Sequence, residues 1–179
     1  MTWATIQPMQ LIRLRPFGAI LLCVLTLGLT PAARAQSTDW EQTLGPGHWR
    51  LMWAPGSIHW RYSAEHRNAW ALGVERQRSD DWLAGGSYFQ NSFGQPSGFV
   101  YVGKRFPELL GQRQLFAQAS GGILYGYRGK FESKVPLNYK GFAPGALLSL
   151  GWQFTPQASL TTHLLGDAGL MFQLAYDLR

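Results

Sequence analysis

Residues 170–179 alternate without a break. Leu170, Phe172, Leu174, Tyr176 and Leu178 fall on one side, and Met171, Gln173, Ala175, Asp177 and Arg179 on the other. A period of two belongs to a β-strand with two unlike faces, and five large apolar residues on one face are what an outer-membrane barrel strand presents to lipid. Trp70, Leu72 and Val74 alternate in the same way with Ala71, Gly73 and Glu75. Between residues 36 and 179 no apolar run reaches half of the roughly 20 residues a spanning helix needs. Membrane residence of this part therefore has to be as strands.

The first 35 residues have a different character. Arg13 and Arg15 precede an apolar stretch over 17–29, which leads through Pro31 to Ala33-Arg34-Ala35. This reads as a signal peptide over 1–35, too short to span a bilayer, whose removal leaves Gln36 first. The single cysteine, Cys23, lies inside it. The domain expected over 36–179 thus folds without a disulfide. Of the sixteen Lys and Arg, three (Arg13, Arg15, Arg34) belong to the leader, so against ten acidic residues the remainder carries 13 − 10 = +3. That is too mild to point to nucleic acid. Charged residues make up 15% and aromatic residues 14%, where an ordinary soluble domain is about 25% charged. Disorder and coiled coil are both excluded by that balance.

Turn-forming residues divide 36–179 into strands expected at 49–62, 68–77, 82–92, 98–105, 114–127, 142–154, 158–165 and 169–178. Eight antiparallel strands close a small transmembrane barrel. Trp49, Trp53, Trp60, Trp82, Tyr101, Tyr125, Trp152 and Tyr176 lie near strand ends, where interfacial girdles belong. A soluble barrel or sandwich with an aromatic core is the competing architecture. Residues 39–44 (DWEQTL) place Trp40 and Leu44 on one side of a short amphipathic helix; an extended lead-in fits equally.

With the amino terminus periplasmic, the odd-numbered strands run outward and their ends meet at one rim. His59 lies near the end of the first strand, and Asn91 and Ser92 end the third. An imidazole and a hydroxyl are thereby brought to one rim across 33 positions, the elements of a proton-transfer pair. His59 as a girdle residue between Ile58 and Trp60, and Ser92 as a turn-initiating hydroxyl, are the plainer alternatives. Proline cannot donate to a strand ladder, so Pro55 and Pro144 each predict a gap in pairing or a bulge. Gly73, Gly85, Gly86, Gly103, Gly121, Gly122 and Gly126 predict interior room or tight curvature. The connection after the fifth strand carries Arg128, Lys130, Lys134 and Lys140 against Glu132, a basic loop suited to phosphates or simply a solvated one.

These residues also carry a resemblance. Pro55 followed by Ile58-His59-Trp60-Arg61-Tyr62, the segment Tyr88-Phe89-Gln90-Asn91-Ser92-Phe93, and Pro144 leading an apolar strand from Ala146 to Trp152 resemble the outer-membrane lipid A palmitoyltransferases. The family's fold is an eight-stranded barrel with an amphipathic amino-terminal helix, and its reaction moves a palmitoyl chain from a phospholipid to lipid A. The resemblance implies His59, Asn91 and Ser92 as catalytic positions, with Asn91 standing where the family has Asp and acting as orienter. It implies Pro55 and Pro144 as lateral openings for acyl chains, and Arg128, Lys130 and Lys134 as contacts for lipid phosphates. A second resemblance is to an uncharacterised group of small outer-membrane barrels, carried by Tyr125-Gly-Tyr-Arg-Gly-Lys130, Lys134-Val-Pro-Leu-Asn138 and Gly141-Phe-Ala-Pro144.

No cofactor is expected. His48, His59, His66 and His163 lack zinc-ligand spacing, and there is no phosphate-cradling or dinucleotide motif. Two readings remain, with membrane lipids (phospholipid, lipid A) as partners in both. One is an acyltransferase. The other is a non-catalytic barrel with a lipid-binding, structural or narrow-transport role, which an amide in place of a carboxylate at Asn91 favours.

Overall fold

The computed structural model describes residues 45–179; the expected signal peptide and the 39–44 helix lie outside the described residues. Eight strands pair in sequence order and close, β1 onto β8: β1 (Gly47–His59), β2 (Trp70–Arg78), β3 (Trp82–Gln90), β4 (Pro96–Phe106), β5 (Leu115–Tyr125), β6 (Phe142–Gln153), β7 (Ala158–Leu164) and β8 (Gly169–Leu178). Every pairing is antiparallel. The strand expectation holds in number and order. β1, however, stops at His59 rather than 62, so the first connection runs over 60–69. Two short 3₁₀ turns that periodicity does not signal occur at Leu109–Gly111 and Gly129–Lys134.

Alternation sets the two faces. Leu51, Trp53, Leu72, Val74, Val100, Val102, Ile123, Leu148, Leu150 and Leu174 all point outward and are exposed. Such a continuous apolar wall is not solvated in a soluble domain, and it matches the lipid-facing band of a membrane barrel. Aromatic residues flank it at both ends: Trp60, Tyr88, Tyr125 and Phe142 toward the connections 60–69, 91–95, 126–141 and 165–168, and Trp82, Phe106, Trp152 and Tyr176 toward the opposite turns. We call these the loop end and the turn end. Among the described residues no helix is long and apolar enough to cross a membrane. Tyr101 departs from the girdle expectation. It points inward, is 8% exposed, and its hydroxyl donates to Glu75 (2.9 Å).

The interior is layered. Toward the turn end, Arg50 is clamped between Asp177 (Nε–Oδ1 2.6 Å) and Glu75 (Nη1–Oε1 3.0 Å). Glu75 also accepts from Tyr101 and from Gln118 (3.3 Å), and Asp177 meets His48 and Arg179. Buried charges persist only when so compensated. Space at glycine is filled rather than empty at Gly73 and Gly85 of the expected set, and likewise at Gly145 and Gly151. A Cβ on Gly151 would lie 2.1 Å from the Phe116 ring, on Gly145 2.7 Å from Phe99, on Gly85 2.8 Å from Tyr101, and on Gly73 2.8 Å from Met52. These glycines seat large side chains of neighbouring strands.

Candidate functional site

His59 occupies the last position of β1, half-buried and facing inward at the loop end. Its Nε2 is 2.7 Å from the Ser92 Oγ. The 33 intervening residues bring the two together because β1 and β3 both end at this rim. The His66 ring from the 60–69 connection lies 4.4 Å from the His59 ring, and Phe93 meets His66 edge-on at 5.5 Å. Ser92 itself is fixed through its carbonyl, which accepts the Arg67 N–H (2.7 Å).

Asn91 does not orient His59. It is 1% exposed, and its Oδ1 accepts the N–H groups of Phe93 and Gln95, both at 3.0 Å, while Nδ2 donates to the Ser97 Oγ (3.1 Å). Both lone pairs of the amide oxygen are thus committed to an Asx turn. Gly94 in this turn has φ +76°, a left-handed conformation that glycine adopts freely. The amide holds the loop that presents Ser92 and leaves the imidazole to Ser92 and His66.

Beneath the pair lies a cavity of about 450 Å³, within the roughly 300–1,000 Å³ range of small-molecule pockets. Met52, Ala71, Phe89, Phe99, Leu124 and Leu147 give it apolar walls, and Tyr101 and Gln118 join its floor to the ionic layer. Lys134, Val135, Pro136 and Leu137 cover part of its mouth. This cover is tied down at three points: Phe131 stacks on Phe93 (4.3 Å), Lys130 pairs with Glu65 (2.9 Å), and the Gln95 side chain donates to the Arg128 carbonyl (3.1 Å).

Both prolines sit where the wall loses pairing. β6 is paired with β5 as far as Phe142, but with β7 only from Leu148 onward, so its first six residues, Pro144 among them, have a strand neighbour on one side only. β1 is paired with β2 only up to Ala54, and its register against β8 shifts between Trp53 and Gly56. Beyond that point the Pro55 carbonyl accepts from the Asn68 side chain (3.0 Å) instead of from a strand. The outward-facing Leu72, Pro144 and Ala146 also line the cavity, so it approaches the barrel exterior at these two places.

The basic residues of the long connection part company. Lys130 is taken by Glu65. Arg128 lies over the Tyr125 ring (5.7 Å), and Lys134 reaches the cavity mouth above Phe93 (5.8 Å). Sequence reasoning missed His66 and the covering segment. The first carries no spacing signal, and the second is irregular backbone. Among the described residues no cluster of three or more His, Cys, Asp or Glu is placed to hold a metal.

No protein-family model matches the chain, and no curated protein matches it. Among solved structures it is similar to the outer membrane protein Ail of Yersinia pestis, whose backbone structure was determined in a phospholipid bilayer nanodisc. That similarity is 16% identity with a TM-score of 0.44, covering 74% of this chain and 99% of Ail.

Proposed function

We propose that the protein is an outer-membrane barrel that draws an acyl chain from membrane lipid into its cavity and transfers it at the outer rim, as its resemblance to the lipid A palmitoyltransferases implies. The observation that carries this reading is the His59–Ser92 contact of 2.7 Å at the mouth of an apolar, floored cavity. Pro55 and Pro144 mark the routes by which a chain passes between bilayer and cavity. With the chain seated, its ester lies beside the pair. The acceptor hydroxyl adds to the ester carbonyl while its proton passes to the Ser92 Oγ, whose own proton passes to the His59 Nε2. The imidazolium returns a proton to the departing lysolipid oxygen. General acid–base help of this kind contributes about 10²–10⁴-fold. Lys134 at the mouth meets the phosphates of phospholipid donor and lipid A acceptor, with Arg128 and, on release from Glu65, Lys130 of the same connection as further phosphate contacts.

Asn91 favours a second reading, a lipid-binding barrel without transfer, because no carboxylate orients the imidazole. The charged layer across the interior opposes the narrow-transport version. Mass spectrometry of lipid A and phospholipids from envelopes expressing wild type, His59→Ala and Ser92→Ala separates the two. Acyl-chain gain in wild type, falling about a hundredfold or more in either variant, is expected for transfer. Unchanged lipids in all three leave the binding barrel. Asn91→Asp is expected not to raise transfer, since its carboxylate would face the Phe93 and Gln95 N–H groups.

A further inference from the structure

The cavity has a second imidazole–hydroxyl pair. His163 on β7 faces inward and is 7% exposed, and its Nδ1 lies 2.7 Å from the Ser149 Oγ of its cross-strand partner on β6. Phe89, Phe99 and Leu124 give the same cavity apolar lining. His163 Nε2 is buried and closes no well-formed hydrogen bond, with the Gln173 side chain, also lining the cavity, as its polar neighbour. An occupant of the cavity that brings a well-aligned hydrogen bond would complete what Gln173 supplies with poor geometry.

The register fixes the depth. On β8 the residue opposite His59 is Gly169, and the residue opposite His163 is Met171. Two residues along a strand are about 7 Å, so His163 lies only a few bonds below the place where an ester beside His59 would sit. A partner there must suit either tautomer of the ring, because Ser149 can give or take the proton at Nδ1. A hydroxyl does so, being donor and acceptor at once. A carboxylate would bring an uncompensated charge into apolar surroundings.

We propose that the cavity is matched to an acyl chain bearing a hydroxyl close to its carboxyl end, and that His163, held by Ser149, recognises that hydroxyl. The inference rests on the reading above that the cavity takes an acyl chain, and it adds the chemical class of that chain. Met52, Phe99 and Leu147 pack the deeper methylenes, while the β7–β8 wall reads the head.

The test is calorimetric titration of the detergent-folded barrel with 3-hydroxyhexadecanoic acid and with hexadecanoic acid. Wild type is expected to prefer the hydroxylated chain about five- to tenfold, the worth of one net hydrogen bond. His163→Leu is expected to bring the ratio to about one. Ser149→Ala, which removes only the positioning hydroxyl, is expected to lower the ratio at least twofold, and it keeps the test open should His163→Leu not regain the heat-modifiable folded form. Equal binding of the two acids by wild type, or a preference that survives His163→Leu, overturns the proposal and leaves the acyl pocket standing. Binding of neither acid overturns both.

Discussion

The two halves of the barrel interior solve the same problem in opposite ways. Toward the turn end a filled layer crosses the barrel: Arg50, Glu75, Asp177, Tyr101 and Gln118 satisfy one another, and Phe116 is seated against Gly151 with the Arg105 guanidinium 3.4 Å above its ring. Beyond this layer opens a cleft of about 780 Å³ whose lining residues, Arg50, Arg76, Arg78, Arg105 and Gln153 among them, are mostly polar. Toward the loop end the walls are largely apolar, space remains, and two imidazole–hydroxyl pairs stand in it: His59 with Ser92, His163 with Ser149. A filled ionic layer makes a rigid floor, and a floored apolar space open above makes a receptacle. On the proposed reading the floor carries stability and the receptacle carries the chemistry, and each half should answer to its own substitutions.

The largest effect is expected at the floor. Arg50→Met leaves Glu75 and Asp177, each 1% exposed, without the cation between them. Breaking a buried network from one side typically costs about 3–5 kcal/mol. Urea unfolding of the detergent-folded barrel should show a loss of that size, whereas His59→Ala and Ser92→Ala should each change stability by under about 1 kcal/mol. Equal losses in the two halves would erase the contrast.

A smaller effect sharpens the comparison. Adding one methyl group at Gly151 forces Phe116, which is 2% exposed, to move against the Arg105 guanidinium that covers it and that is itself held by Gln153. Overpacking of this kind costs about 1–3 kcal/mol. The same change at Gly145 presses on Phe99, which borders the cavity and can swing into it. Gly151→Ala should therefore destabilise clearly more than Gly145→Ala, with the order read from the two unfolding midpoints. A reversal would mean that the space beneath the His59–Ser92 pair is not available to a moving side chain.

The contrast was only half legible in the sequence. Strand number, order and the lipid-facing set follow from a period of two, which the terminal strand shows in pure form. The meeting of His59 and Ser92 follows from topology, because strands of like direction end at one rim. The floor was not legible: Arg50, Glu75 and Asp177 are 25 and 127 residues apart along the chain in their two pairings, and no local pattern announces a cross-barrel clamp. For Tyr101, nearness to a strand end suggests the girdle and hides its inward parity. For Asn91 the resemblance implies a role beside His59, while its local sequence, Asn-Ser-Phe-Gly, spells the turn it closes.

The smallest expected effect concerns the cover over the receptacle. Lys130 and Glu65 link the 126–141 and 60–69 connections at 2.9 Å, with both side chains largely exposed. The hydrogen bond and charge of the Lys130 ammonium hold the Glu65 carboxyl below its ordinary pKa. A depressed carboxylate favours the folded arrangement above its unfolded pKa and loses that contribution as pH falls through the lower, folded value. Acidification from neutral pH should therefore leave the link intact until the acid limb of the carboxylate range and release it below. An exposed pair is also screened by salt. Hydrogen exchange at residues 129–135 should accelerate modestly on acidification once the intrinsic pH dependence is divided out, and Glu65→Gln should remove that extra acceleration. The Phe131–Phe93 stack carries no charge and should keep the cover in place meanwhile. Wholesale opening of the cover in Glu65→Gln at neutral pH would show that the ion pair, rather than the aromatic contact, governs access to the cavity.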